Sequence, residues 1–305
     1  MREMTRVPRF RSSPHLAAPS RANFGIERAL AIYGSSAVLN VKFLRRVVRH
    51  VGRNFTFAAL PALVALLACV GLAPAAEGPD CQVAAPLVHA DYPMKRVAAA
   101  LQRDRRLTIM VVGAGSSTLG GAGGAALAYP ARLEAVLGKR MPDIATKVLV
   151  NVTPGRTAEQ MAEAFGKILT DDKPNLAIWQ SGTVDAIKGI DPEEYRLTLD
   201  EGVEELQAGG ADVVLMNMQY SPRTESMIAV HAYADSMRLV SQQREVSLLD
   251  RFAIMRQWSE LGVFDFFAAT RRLETAARIH ECIAQLLADL IRDGVKLSRE
   301  QKAQQ

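Results

Sequence analysis

Residues 107–118 read Leu-Thr-Ile-Met-Val-Val-Gly-Ala-Gly-Ser-Ser-Thr, and this stretch decides the predicted fold. Its first six residues are apolar or β-branched, which is typical of a strand buried on both faces in a parallel sheet. Gly113 and Gly115 then mark a turn at the carboxyl end of that strand. Because open α/β sheets bind their ligands just beyond these strand ends, Ser116 lies where a nucleophile would be useful.

The rest of the chain alternates short apolar runs with amphipathic segments. The predicted strands are 107–112, 147–152, 175–180, 212–218 and 246–249. The predicted helices lie near 126–139, 156–169, 192–208, 224–243, 250–259 and 271–293. Such alternation indicates right-handed βαβ units. We therefore expect an α/β fold, a flavodoxin-like three-layer α/β/α domain with a five-stranded parallel sheet, over residues 105–295.

Glycine and polar residues follow every predicted strand. These strand exits are 113–118, 151–157, 180–185, 217–222 and the pair Asp250-Arg251. Loops that gather at one edge of a rigid sheet are the usual place to build a binding or catalytic site.

The basic character of the chain resides in its first 76 residues. The chain has 37 Lys and Arg and 32 Asp and Glu, for a net charge of +5. Eleven of the basic and two of the acidic residues fall within 1–76, so the remainder carries 26 basic and 30 acidic residues, a net of −4. A mildly acidic body does not support nucleic-acid binding.

The end of this leader has the pattern of a secretory signal peptide. Basic residues over 42–53 precede an apolar run over 57–72 and an Ala-Pro-Ala sequence over 73–75. The run of about 16 residues is shorter than the roughly 20 that span a bilayer, so we expect no stable membrane span after cleavage near Ala75 or Ala76. Processing as a lipoprotein at Cys69 is the alternative. The protein is predicted to be periplasmic or secreted.

The remaining boundaries follow from composition. Residues 1–40 are predicted to be a mis-annotated start or a disordered tail, 77–104 an N-terminal extension, and 296–305 a polar tail. Cys81 and Cys282 stay in the mature chain, and two cysteines in an exported protein favour a disulfide over two separate buried thiols. No Cys-x-x-Cys pair or His/Cys cluster occurs, so no metal site is predicted.

A dinucleotide cofactor is not predicted either. Gly113 and Gly115 follow a strand and Glu134 lies about twenty residues on, which faintly resembles a dinucleotide fingerprint, but Thr118 takes the place of the third glycine. We expect a site that works without a cofactor.

Three blocks of sequence resemble the SGNH (GDSL-type) hydrolase superfamily. They are 114–118 (Ala-Gly-Ser-Ser-Thr), Gly155 and 182–185 (Gly-Thr-Val-Asp), each after a predicted strand. The resemblance covers about residues 105–293 and is closest to exported bacterial members with these first and third blocks. It implies that Ser116 is the nucleophile, with Ser117 as the alternative, and that the backbone N–H groups of Ser116 and Gly155 bind the oxyanion.

The third block departs from the superfamily pattern. Val184 stands where the superfamily has an asparagine that supplies a further oxyanion donor. Thr183 and Gln180 are the candidate substitutes. Asp185 is retained, and we expect it to fix the loop by accepting backbone N–H groups, or else to orient a histidine.

The fourth block is absent. The superfamily carries Asp-x-x-His after the last strand, whereas no histidine stands three residues after Asp265. His280 is the candidate base, with Asp265 or Asp185 as its partner, and the alternative is that His280 is a packing residue.

The resemblance thus implies an exported serine esterase that removes short acyl groups from a small ester or an acylated glycan. Acyl transfer on the same site differs only in the acceptor. Because of the two departures, a second hypothesis stays open, namely a domain that has lost catalysis and binds a glycan or an envelope partner.

Overall fold

A computed structural model describes residues 81–267 and 272–304, which all belong to the unit Pro74–Gln305. Its strands are β1 (Arg106–Gly113), β2 (Ala145–Val152), β3 (Leu176–Gln180), β4 (Asp212–Met216) and β5 (Ser247–Leu249). They form a parallel sheet in the order β2-β1-β3-β4-β5, which confirms the predicted five-stranded α/β fold. The predicted leader, signal peptide and cleavage site lie outside the described residues.

Helices connect and flank the strands. Their bounds are α1 (Lys95–Ala99), α2 (Gly124–Leu127), α3 (Tyr129–Arg140), α4 (Ala158–Ala162), α5 (Phe165–Asp171), α6 (Thr183–Lys188), α7 (Pro192–Ala208), α8 (Pro222–Met227), α9 (Val230–Gln243), α10 (Arg251–Glu260) and α11 (Arg272–Ala303). A short 3₁₀ turn, Gly115–Ser117, follows β1.

The strand order fixes the layers. β2 lies on one side of β1, and β3 and the later strands lie on the other. The direction in which successive strands are added to the sheet therefore reverses between β2 and β3. Because parallel crossovers are right-handed, this reversal puts the helix before β2 and the helices after it on opposite faces. Accordingly, α3 packs on α11 and β2, whereas α7 packs on α4, α5, α9 and β4. The reversal also opens a crevice between the carboxyl ends of β1 and β3.

The helix boundaries differ from the predicted ones where tertiary contacts intervene. The predicted helices 156–169 and 224–243 are each divided in two, and the short α6 was not predicted. Gly182 at φ +104° and Gly189 at φ +67° bracket α6, leaving six residues, too few to show a helical period. The last helix runs on to Ala303, ten residues past its predicted end, and Met94 packs on it at Gly294, where an added Cβ would come within 2.7 Å of Met94 Cγ.

A disulfide and a hydrogen bond connect the described N-terminal segment to the last two helices. Cys81 and Cys282 form the predicted disulfide, with their Cα atoms 5.0 Å apart. The indole N–H of Trp258 also donates to the Gln82 carbonyl at 3.2 Å. Within residues 81–267 and 272–304, no helix combines the length and the apolarity that crossing a membrane requires.

Candidate active site

The two serines after β1 differ in accessibility and hydrogen bonding. Ser117 is fully buried, and its hydroxyl donates to Gln180 Oε1 and accepts from Tyr129 Oη at 3.4 Å. Ser116 is half-buried, and its Oγ accepts from Gln180 Nε2. Gln180, the last residue of β3, therefore bridges both hydroxyls, and only Ser116 retains a hydroxyl proton that no protein acceptor in the described residues takes up.

Ser116 lies on the wall of a cavity of about 260 Å³ at the carboxyl edge of the sheet. The loop after β1 forms one side, and α10 and α11 form the other. The polar side chains of the wall come from Ser116, Thr118, Gln219, Arg251 and His280. Two of the predicted site residues, Ser116 and His280, are thus brought to one cavity although they are 164 positions apart in the sequence.

His280 is held with a defined tautomer. It is 4% exposed on α11, and its Nδ1 accepts a hydrogen bond from the backbone N–H of Tyr129 at 2.9 Å. Burial, together with the charges of Arg251 and Arg132, lowers the pKa of His280 to about 3, so the ring is neutral at physiological pH. A neutral imidazole has one donor and one acceptor nitrogen, so the proton is on Nε2. In a serine triad, by contrast, the histidine nitrogen that faces the serine hydroxyl is unprotonated, so that it can accept the hydroxyl proton.

The two aspartates proposed as partners of His280 lie elsewhere. Asp265 is exposed, and its Oδ1 accepts from the Phe267 N–H at 2.8 Å. Asp185 is 2% exposed, and its two oxygens accept from the N–H groups of Ala158 at 2.8 Å and Gly182 at 3.1 Å. Burial raises the pKa of Asp185. Among the described residues no hydrogen bond or ion pair joins either carboxylate to His280, and Asp185 ties the loop after β2 to the loop after β3.

The two predicted oxyanion donors, the backbone N–H groups of Ser116 and Gly155, lie in the loops after β1 and β2. A Cβ on Gly115 would lie 3.7 Å from Pro154 Cβ, so the loop after β2 contacts the loop after β1. Gly155 is exposed at φ +79°. Neither its N–H nor that of Ser116 donates a hydrogen bond within the described part of the chain. Both N–H groups thus lack a protein acceptor among the described residues, and Ser116 but not Gly155 lines the cavity.

The third donor of the superfamily has no evident replacement at its own position. Val184 packs against the core and offers no polar side-chain atom. The Thr183 hydroxyl is buried and has no hydrogen-bond partner among the described residues, and Thr183 does not line the cavity. Gln180, the other candidate, donates through its Nε2 to the hydroxyl oxygen of Ser116 itself.

Arg251 is a site residue that sequence reasoning did not select. It is the first residue of α10, 1% exposed, and its Nη1 donates to the Ser116 carbonyl at 3.0 Å. Its Nε has no hydrogen-bond partner among the described residues. Burial lowers the pKa of Arg251 to about 10. The sequence signal that could have identified it is its position directly after the fifth predicted strand.

No group of three or more His, Cys, Asp or Glu side chains within 81–267 and 272–304 is arranged to hold a metal ion. The described cavity wall is largely apolar and carries one cationic side chain, Arg251, beside the donor groups of Ser116 and His280.

Comparisons with known proteins agree with this architecture. A model of the non-GDSL lipase-like family matches residues 80–297. A catalytic mutant of Axe2, an acetylxylan esterase from Geobacillus stearothermophilus, superimposes with a TM-score of 0.51 at 16% identity, covering 61% of this chain and 94% of that one. The psychrotrophic esterase EstA from Pseudoalteromonas sp. gives a TM-score of 0.49 at 15% identity, over 61% and 98% of the two chains. At these identities the Axe2 likeness shows the fold alone. No curated protein matches the chain by sequence.

Proposed function

The chain belongs to the non-GDSL lipase-like family, and from that premise we propose that it is an exported serine esterase that removes short acyl groups through Ser116. The substrate is a small ester or an acylated glycan, and the site of action is the periplasm or the cell exterior. The basic and apolar pattern of residues 42–75 supports export.

The position of the Ser116 hydroxyl carries the proposal. Ser116 is the accessible serine of the pair, on the wall of the cavity at the carboxyl edge of the sheet. Its Oγ accepts from Gln180, which orients a lone pair and leaves the hydroxyl proton to be transferred. A volume of about 260 Å³ is below the range of about 300–1,000 Å³ that is usual for drug-sized ligands, which suits an acetyl or similar acyl group.

The reaction follows from these groups. Ser116 Oγ attacks the ester carbonyl carbon while its proton passes to a base, and the carbonyl oxygen becomes an oxyanion. The backbone N–H groups of Ser116 and Gly155 stabilise that oxyanion, and each such donor commonly contributes about 3–4 kcal/mol to transition-state binding. The alcohol leaves with a proton, and water then hydrolyses the acyl-enzyme and restores the Ser116 hydroxyl.

His280 is the proposed base. Its hydrogen bond from Tyr129 N–H must break before the ring can accept the Ser116 proton, and this adds to the energy barrier. To accept the Ser116 proton at Nε2, the ring must move its own proton to Nδ1 and give up the bond from Tyr129 N–H. Leaving that backbone donor unpaired costs about 1–3 kcal/mol. We therefore expect turnover to be slower than in an enzyme whose histidine already has the triad tautomer.

Serine labelling provides the test. A fluorophosphonate probe should modify Ser116, identified by peptide mapping, and Ser116→Ala should lower the turnover of 4-nitrophenyl acetate by at least about a thousandfold. Ser117→Ala is the matched control and should keep labelling at position 116. Undiminished turnover by Ser116→Ala would refute the proposal.

A second function, binding without catalysis, is favoured by the bond between Tyr129 N–H and His280 Nδ1. If the ring keeps this tautomer with substrate bound, nothing among the described cavity residues accepts the Ser116 proton. The domain then holds a glycan or an envelope partner at the same cavity. In that event the probe modifies no serine, while ligand binding persists in Ser116→Ala.

A further inference from the structure

Arg251 carries a buried positive charge for which the described residues supply no counter-charge. Its guanidinium makes a single hydrogen bond, from Nη1 to the Ser116 carbonyl, and no carboxylate lies within ion-pair distance among the described residues. Arginine stays protonated even when burial lowers its pKa to about 10. Buried charges are normally paired, because an isolated one has lost its hydration without compensation.

The acidic residues next to Arg251 and His280 in the sequence are already engaged. Asp250, the adjacent residue, accepts from Asn217 Nδ2 at 2.7 Å and pairs with Arg238 at 2.9 Å. Glu281 on α11 pairs with Arg132 at 3.2 Å. Neither carboxylate is left to neutralise Arg251, so the charge faces a cavity whose described wall contains no acid.

Two further groups at the cavity are donors, while the side chains of Thr118 and Gln219 can both donate and accept. His280 is neutral with its proton on Nε2, so its unbonded ring nitrogen donates. The Ser116 N–H has no acceptor among the described residues. A guanidinium on the cavity wall, an imidazole N–H and a backbone N–H together form a set of donors suited to a negatively charged oxygen group.

We propose that this cavity binds the oxyanion group of a ligand, a carboxylate or a phosphate, and that Arg251 is its counter-charge. A ligand with this group gains a charge-assisted hydrogen bond where the empty cavity leaves a donor unsatisfied. The inference rests on the cavity and not on the reactivity of Ser116, so it applies to an esterase and to a binding domain alike. For an esterase it predicts a preference for esters that carry a negative charge beside the acyl group over neutral esters such as 4-nitrophenyl acetate.

Thermal unfolding with simple anions tests the proposal. Sodium acetate and inorganic phosphate are titrated separately at constant ionic strength set with sodium chloride, and acetamide serves as the neutral analogue of acetate. We expect a saturable rise in the melting temperature of the wild type with at least one anion and none with acetamide. Acetate alone indicates a carboxylate ligand, and phosphate alone indicates a phosphate ligand.

Variants separate the role of the charge from general salt effects. Arg251→Met, of similar length but neutral, should weaken anion binding by about tenfold or more while being no less stable than the wild type without anion. Arg140→Gln removes an arginine paired with Asp289 outside the cavity and should retain the full anion response. Ser116→Ala should retain it too, because Arg251 bonds the backbone carbonyl at that position.

The proposal is overturned if the wild type shows no saturable anion response, or if Arg251→Met responds as strongly as the wild type. Should Arg251→Met fail to fold, Arg251→Lys replaces it, since it keeps the charge but loses the planar donor set and should bind several-fold more weakly. Loss of esterase activity in Ser116→Ala with anion binding intact would support both proposals separately.

Discussion

The backbone N–H of Tyr129 donates to His280 Nδ1 at 2.9 Å, across 151 positions of sequence. Tyr129 is the first residue of α3, so its N–H has no acceptor within its own helix, and the imidazole of α11 caps it. The bond joins the two helices that cover this face of the sheet. It also decides which ring nitrogen of His280 bears the proton, and thereby what the histidine can do for Ser116.

The tautomer of His280 is the first prediction. We expect the Nε2-protonated form, neutral from pH 8 down to about pH 4, because burial and Arg251 lower the pKa to about 3. Two-bond ¹H–¹⁵N correlation spectra of the imidazole distinguish the two tautomers and the protonated ring. A protonated Nδ1 in the ligand-free protein would contradict the prediction.

His280 should also make the protein sensitive to acid. The ring binds a proton with a pKa near 6.5 when unfolded but only near 3 when folded, so the free energy of unfolding falls as pH falls from about 6.5 towards 3. His280→Gln should reduce this slope by at most about 1.4 kcal/mol per pH unit. Urea unfolding at a series of pH values gives the slope, and equal slopes in the two proteins would show that His280 titrates normally.

Asp212 should have the opposite effect. It lies at the start of β4, accepts from the Val97 N–H at 2.9 Å, and burial raises its pKa to about 6. The folded protein therefore holds this proton more tightly than the unfolded chain, and stability falls as pH rises from about 4 to 6. In the wild type this term offsets part of the rise in stability with pH that His280 produces. Asp212→Asn should remove the term, so the free energy of unfolding should rise more steeply with pH between about 4 and 6 in the variant. The same urea series measures it, and a shallower rise would refute it.

The disulfide should contribute strongly to stability. Cys81 and Cys282 are 201 positions apart, and closing so long a loop contributes up to about 5 kcal/mol in the chain-entropy model. We expect dithiothreitol to lower the guanidinium midpoint of the wild type. The double variant Cys81→Ala with Cys282→Ala should show the lower midpoint with or without reductant. A wild-type midpoint that does not respond to complete reduction would argue against this contribution.

Gly113 should tolerate no side chain. An added Cβ would lie 2.2 Å from Ser117 Oγ, so Gly113→Ala must displace Ser117 and its bonds to Gln180 and Tyr129. We expect a loss of about 1–3 kcal/mol and a fall in any activity of Ser116. Gly138→Ala is the matched control, because that position lies in α3 with open space around it. It should stabilise the protein by up to about 1 kcal/mol. Equal stabilities of the two variants would contradict this packing.

Much of the site's framework was readable from local sequence. The run Leu107–Val112 and its successors have the composition of buried strands, and strand ends place their loops at one edge of a sheet whatever the helices do. For that reason Ser116, Gly155 and Asp185 could each be assigned to a loop at that edge. The divided helices were not predictable in the same way, since their breaks at 163–164 and 228–229 carry no proline or glycine.

The sequence by itself determined the parallel α/β fold and the sheet edge that bears the candidate site, and it favoured the pairing of Cys81 with Cys282, because hydrophobic period and composition act over a few residues and only two cysteines follow residue 76. Only the tertiary structure decided the tautomer of His280, the different accessibility of Ser116 and Ser117, and the lack of a counter-charge at Arg251 among the described residues. These properties depend on which hydrogen-bond partners and charges meet across more than a hundred positions of chain. Such encounters are set by the packing of α3, α10 and α11 around one cavity, and no local pattern encodes them.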